Sequence, residues 1–178
     1  MLRFTDSHCH LDFDAFTNEL AQLLEQCQQA KIHRIIIPSI GPKNWHKALT
    51  LAKNHSTEAL NLQPCLGIHP WFLDDLTTDS FDTLAQLVQQ QINNIVAIGE
   101  AGIDGVIDKE QQNLSLQIEV FEQQLSLAKN YNLPIIVHHR RSHQHIVPML
   151  RKKNLLKGGI IHAFSGSYQQ AVQYIDLG

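Results

Sequence analysis

No stretch of this 178-residue chain is long and apolar enough to read as a membrane span, and the polar N-terminus carries no signal-peptide pattern. Positive charge is scarce as well: 14 Lys and Arg stand against 17 Asp and Glu, for a formal net charge of −3. The basic footprint of a nucleic-acid binder is therefore missing, and a nucleic-acid substrate would need metal ions to supply the positive charge its phosphates require. The three cysteines, Cys9, Cys27 and Cys65, form no C-x-x-C pair. A reduced, cytoplasmic protein with unpaired thiols is the expectation. No Ser/Gly-rich linker or low-complexity segment divides the chain, and 43% hydrophobic with 17% charged residues suits one domain over residues 1–178 with a real core.

What remains is an alternation. Short β-branched runs at Arg3–Ser7, Arg34–Pro38, Leu62–Ile68, Ile95–Gly99, Pro134–Val137 and Gly159–Ile161 are separated by longer amphipathic stretches. Four of the runs are nearly solid aliphatic, as parallel strands buried on both faces are. Helical stripes lie between them, such as Leu20, Leu23, Leu24 and Cys27, or Leu114, Ile118, Phe121, Leu125 and Ala128. The pattern is β-α repeated six times, which defines an α/β protein with a parallel sheet. No G-x-G-x-x-G follows the first strand, so an open dinucleotide-binding sheet is disfavoured and a TIM-type (β/α)8 barrel is expected. A complete barrel takes about 250 residues, so the chain is expected to supply only six of the eight units.

The abundant residue is histidine, with eleven copies. His8 and His10 follow the first strand, His69 closes the third, Glu100 the fourth, His138 the fifth and His162 the sixth. In a barrel the C-terminal strand ends form one rim, where active sites are built. Imidazole and carboxylate ligate Zn, Mn, Fe or Ni-type ions, and one carboxylate between histidines can bridge two of them. A lone histidine at a strand end is ordinarily a hydrogen-bonded structural group. Five metal-competent residues, His8, His10, Glu100, His138 and His162, all at strand C-termini, make coincidence a poor explanation. His69, before Pro70 and Trp71, is expected to shape a loop or touch substrate. Asp6 faces the same side as His8 one step deeper and is read as orienting a ligand imidazole, with direct ligation as the alternative. His139 should point away from His138. Asp104 either orients the site or caps a turn, and Arg140 and Arg141 either grip a phosphate or open a helix as a solvated pair.

The ordered motifs D-S-H-C-H, G-I-H-P, I-G-E-A-G-I-D, L-P-I-I-V-H-H-R and I-I-H-A-F-S-G-S resemble those of the TatD-related metal-dependent hydrolases, nearest to the YjjV-type members. The resemblance implies an amidohydrolase-like barrel acting as a deoxyribonuclease, with two divalent ions (Zn, Mg, Mn or Ni). It implies that His8, His10 and Glu100 hold the first ion, and that Glu100 bridges to a second held by His138 and His162. His69 and Arg140 would lie near the substrate phosphate, and Glu100 and Asp6 are the candidate catalytic carboxylates.

The chain departs from the family pattern in one respect. The family's E-T-D-x-P segment, whose aspartate completes the first metal site, has no counterpart here, and Asp176 lies in a helical pattern beneath the rim. Three expectations follow: a C-terminally incomplete barrel, self-association that covers its open edge, and impaired activity. The leading function is cleavage of DNA or another phosphodiester by a metal-activated water. The alternatives are hydrolysis of a small ester, amide or lactone on the same metal core, and a non-catalytic metal-binding remnant.

Overall fold

The aliphatic runs within Ile32–Pro38, Ile98–Asp104 and Ile135–Arg140 are buried from both sides, whereas Gly159–His162 at the sheet edge is only half-buried. In the computed structural model, which describes residues 2–107 and 112–178, Ile35 and Ile37 pack with Leu24, Ala48 and Ala52 of the flanking helices. Ile36, between them, turns the other way and packs with Cys65, Ala97 and Ile136. Alternation along a strand sends successive side chains to opposite faces, and here both faces are apolar, as parallel sheets require.

Six parallel strands are described: β1 (Phe4–Asp6), β2 (Ile32–Pro38), β3 (Asn61–Cys65), β4 (Ile98–Asp104), β5 (Ile135–Arg140) and β6 (Gly159–His162). They form two three-stranded sheets, β1-β2-β3 and β4-β5-β6. A bridge between Leu66 and Ile98 links the two, so strands sequential in the chain are neighbours in space. The described α-helices are α1 (Leu20–Gln29), α2 (Pro42–His55), α3 (Ser80–Gln90), α4 (Leu114–Asn130), α5 (His143–Lys153) and α6 (Tyr168–Ile175). A 3-10 helix, Pro70–Asp75, follows β3. This is the wall of a partial barrel. No described helix is long and apolar enough to cross a membrane.

β4 departs from the sequence reading. The expectation is a strand over Ile95–Gly99 with Glu100 at its close, yet β4 begins at Ile98, runs on to Asp104 and is buried throughout. Its glycines are points of close approach, not terminators. Gly102 has φ +151°, and a Cβ there would lie 2.1 Å from the His138 carbonyl oxygen. Glycine alone lets β4 lie against β5 at that height. Glu100 therefore sits inside β4, its backbone N–H donating to the Ser39 carbonyl across the seam at 2.9 Å.

α4 secures two strand ends. Gln124 and Gln117, both 0% exposed, lie seven residues apart on its inner face. Gln124 Oε1 accepts the Ile68 N–H at 2.7 Å, and its amide donates back to the Ile68 carbonyl at 3.0 Å. Gln117 accepts the Asp104 N–H at 2.7 Å and donates to the Asp104 carbonyl at 3.3 Å. Each glutamine thus acts as a stand-in strand partner for backbone groups that no neighbouring strand meets on that side, satisfying groups that would be costly to bury unpaired. The residues so anchored adjoin His69 and include Asp104.

Candidate metal centre

Glu100 is 1% exposed and its two carboxylate oxygens face different imidazoles. Oε2 lies 3.0 Å from His8 Nε2 and 3.2 Å from His10 Nε2. Oε1 lies 3.1 Å from His138 Nδ1 and 3.6 Å from His69 Nε2. Burial would push the Glu100 pKa up, but hydrogen bonds from His10, His138 and His8 win and hold it far below the usual carboxylate range. The carboxylate is ionised.

The outer nitrogens of these rings decide what the inner ones can do. His10 Nδ1 lies 3.0 Å from the Pro38 carbonyl, which only accepts, so Nδ1 carries the proton and the lone pair of neutral His10 is on Nε2. His138 Nε2 lies 3.0 Å from Asp104 Oδ2, so its proton is on Nε2 and its lone pair on Nδ1. In both rings the lone pair points at an anionic oxygen. Two acceptors at such a distance repel unless a cation lies between them. Protons answer that demand when no metal does: burial lowers the pKa of His10 and of His138, yet the bonds to Glu100, and for His138 to Asp104, leave both raised above 6.5. The donor set fits a divalent ion, and the ligand atoms of His8, His10 and Glu100 all lie within 4.8 Å of one another.

His69 differs. Distance groups it with Glu100 and His138, and its ring is 6% exposed as part of the residue. Its Nδ1, however, accepts the Trp71 backbone N–H at 3.0 Å as the cap of the 3-10 helix. Neutral His69 therefore carries its proton on Nε2, a donor 3.1 Å from the His138 Nδ1 lone pair and 3.6 Å from Glu100 Oε1. Burial pushes its pKa down to about 3, against a smaller upward pull from Glu100, so it stays neutral.

Asp104 both caps a turn and holds a ring. Its Oδ1 accepts the Val106 and Ile107 N–H groups at 2.8 and 3.0 Å, and its Oδ2 accepts the Trp71 indole N–H at 2.7 Å as well as His138. It makes no contact with Glu100 among the described hydrogen bonds. Asp6 accepts the backbone N–H of His8 at 3.0 Å and leaves the ring alone; His8 Nδ1 is buried with no hydrogen-bond partner among the described residues. His162 pairs in register with His138, but its ring stacks on His8, with centroids 3.4 Å apart at 11°. Burial, then the neighbouring His8, lowers its pKa. Arg140 is half-exposed, with Nη1 3.8 Å from Asp104 Oδ2. His139 faces the helices, against His143, Phe164 and Tyr174, as alternation along β5 dictates. Trp71 was not singled out from sequence. The signal available was G-I-H-P-W itself, since a residue before a proline that starts a helix is placed to cap it.

Parallel strands wrapped into a partial barrel, with imidazoles and a buried carboxylate converging at one rim, define the class of metal-site barrels. The chain belongs to the TatD related DNase family, whose profile matches residues 5–178. It is 36% identical to the uncharacterized metal-dependent hydrolase YjjV of Escherichia coli, over 99% of this chain and 66% of that protein. The crystal structure of YjjV superposes with a TM-score of 0.91, covering 98% of this chain and 65% of that one. The human deoxyribonuclease TATDN3 is 26% identical over 97% of this chain and 65% of that protein. The chain thus spans just under two thirds of the length of these relatives.

Proposed function

We propose that the chain, as a single barrel domain of six β/α units, carries the centre of a metal-dependent hydrolase that cleaves DNA phosphodiester bonds. The observation that carries this reading is the convergence of acceptor lone pairs on both sides of Glu100, an arrangement that calls for cations. The name of the human relative, a deoxyribonuclease, supports the substrate class. Two divalent ions are proposed: His8, His10 and Glu100 would hold one, and Glu100 and His138 the other, while His162, whose ring lies on His8, would join the second only by turning toward His138. When bound, such ions polarise a phosphoryl oxygen and activate water.

The chain's own residues do the rest. Glu100 stays ionised through the working pH range and holds the two imidazole pairs apart. Pro38 and Asp104 fix the tautomers of His10 and His138, so that both present lone pairs to the centre. Asp6 sets the backbone at His8. His69 offers an Nε2–H donor, suited to an oxygen on which negative charge grows. Arg140, on the border of the same cleft as Glu100, can reach a substrate phosphate as a planar donor.

Titrating metal-free protein with Zn, Mn, Mg or Ni and following cleavage of a fluorescent oligonucleotide, alongside small esters and lactones, tests the reading. Metal-dependent oligonucleotide cleavage that Glu100→Gln abolishes is the expected result. Turnover of small esters or lactones only, or cleavage that survives in Glu100→Gln, would overturn it.

A further inference from the structure

Two large aromatic side chains stay open to solvent beside the centre. Trp71 is 45% exposed and Phe13 38%, whereas Trp45 and Phe121 in the core are 2% and 0% exposed. Each touches an imidazole that faces a different oxygen of Glu100; Trp71 lines the cleft over the centre, whereas Phe13 lies at its margin and lines a neighbouring hollow with Leu11 and Phe16. Phe13 lies parallel to His10, with centroids 5.0 Å apart at 22°, on the Oε2 side. Trp71 lies 5.6 Å from His69 and 6.2 Å from His138, on the Oε1 side. It borders the same open cleft, of about 360 Å³, as His10, His69, Glu100 and His138.

Trp71 is held with unusual care for an exposed ring. Its backbone N–H is tied to His69 Nδ1 and its indole N–H to Asp104, a carboxylate that is itself fully buried. Its planes to His69 and His138 are 88° and 68°, so it does not stack on the imidazoles of the site. Ordering a large side chain costs conformational entropy, and leaving it exposed forfeits the gain from burial. A ring that is immobilised yet left open is preorganised for a flat partner.

We infer that Trp71 and Phe13 are stacking platforms for unpaired nucleobases, one on each side of the phosphate presented to Glu100. The inference rests on the nuclease reading above and deepens it. A base inside a duplex already has both faces covered by its neighbours, and exposing it requires unstacking. Base–aromatic stacking needs only a free π-face, so the preference is for single strands and tolerates any base. Phe13 keeps one face on His10 and offers the other; Trp71 offers its face from the opposite flank.

The test compares Trp71→Phe with Trp71→Leu in the metal-loaded protein. Both variants lack the indole N–H, so the bond to Asp104 is lost equally and only the aromatic face differs. The probe is a labelled single-stranded oligothymidylate with phosphorothioate linkages, which resist cleavage, and the readout is its dissociation constant by fluorescence anisotropy. Trp71→Leu is expected to bind about 5- to 150-fold more weakly than Trp71→Phe. The gap should vanish when the nucleotide beside the bound phosphate is abasic. Phe13→Leu against Phe13→Tyr should repeat the pattern, and a duplex probe should bind more weakly than the single strand to the unmodified protein. Equal affinity of the Leu and Phe variants, or a gap that persists with abasic probe, overturns the stacking inference while leaving metal-dependent cleavage intact. Binding with stacking but no metal-dependent cleavage of an ordinary oligonucleotide instead removes the nuclease reading, and failure to bind the oligonucleotide at all removes both.

Discussion

Asp104→Asn changes one charged atom for a neutral group of the same shape, in a residue with no exposure. The carboxylate accepts four hydrogen bonds, two on each oxygen. Asparagine has one accepting oxygen. If that oxygen keeps the Val106 and Ile107 amides, the new NH2 faces the Trp71 indole N–H, donor against donor, where 2.7 Å separated a bonded pair. It also faces His138 Nε2, which must then give up its proton to accept. The proton moves to Nδ1, the atom that faces Glu100, and the lone pair no longer points into the centre. If the amide is flipped instead, two backbone donors are opposed and the turn is strained. Bonds to a charged acceptor contribute about 1.5–3 kcal/mol each. Loss of such a partner behind a ligand histidine weakens metal binding by about 10–100-fold, or about 1.4–2.7 kcal/mol. Competition with a chromogenic chelator measures this, with circular dichroism to show that the variant is folded. A folded Asp104→Asn protein that binds metal within about twofold of the parent would refute the tautomer argument.

Other outcomes follow from the same geometry. His10 and His138 have raised pKa values, so they hold protons to higher pH than a free imidazole, and metal must displace those protons. Apparent metal affinity should therefore climb as pH rises through and beyond 6.5, and NMR titration in EDTA should find both rings titrating above 6.5 while His69 stays neutral down to about pH 3. Gly102→Ala places a Cβ 2.1 Å from the His138 carbonyl, which β4 and β5 can relieve only by parting. It should lower stability in urea by at least about 1–3 kcal/mol and weaken metal binding with it. Arg140→Ala, at a half-exposed side chain whose ion pair with Asp104 is long at 3.8 Å, should shift the urea midpoint little and raise KM for oligonucleotides, measured by steady-state cleavage.

The alternation of aliphatic runs with amphipathic stretches was enough to read parallel strands and helices, because period and length separate the two. The rim was legible for a related reason: in this architecture a residue's position on a strand end tells which others it will meet, so His8, His10, Glu100 and His138 could be gathered before any coordinates were known. Three features escaped. The aliphatic run stops at Gly99, so nothing in the sequence shows that β4 continues to Asp104, where Gly99 and Gly102 let two backbones touch. Gln117 and Gln124 look like ordinary polar positions of an amphipathic helix, since their partners are backbone groups more than ten residues away in sequence. The separate roles of His69 and His138 depend on which ring nitrogen carries the proton, and that is set by Trp71 and Asp104, contacts that no spacing rule records. His162 was grouped with His138 by strand position, and in the structure its ring lies on His8.

The central claim is that Glu100 joins two cation sites, one on each oxygen. Anomalous diffraction from zinc-loaded crystals of this chain tests it most directly. The expected map has one peak among His8 Nε2, His10 Nε2 and Glu100 Oε2, and a second beside Glu100 Oε1 and His138 Nδ1. Zinc bound only at other residues, with Glu100 contacting no ion, would contradict it.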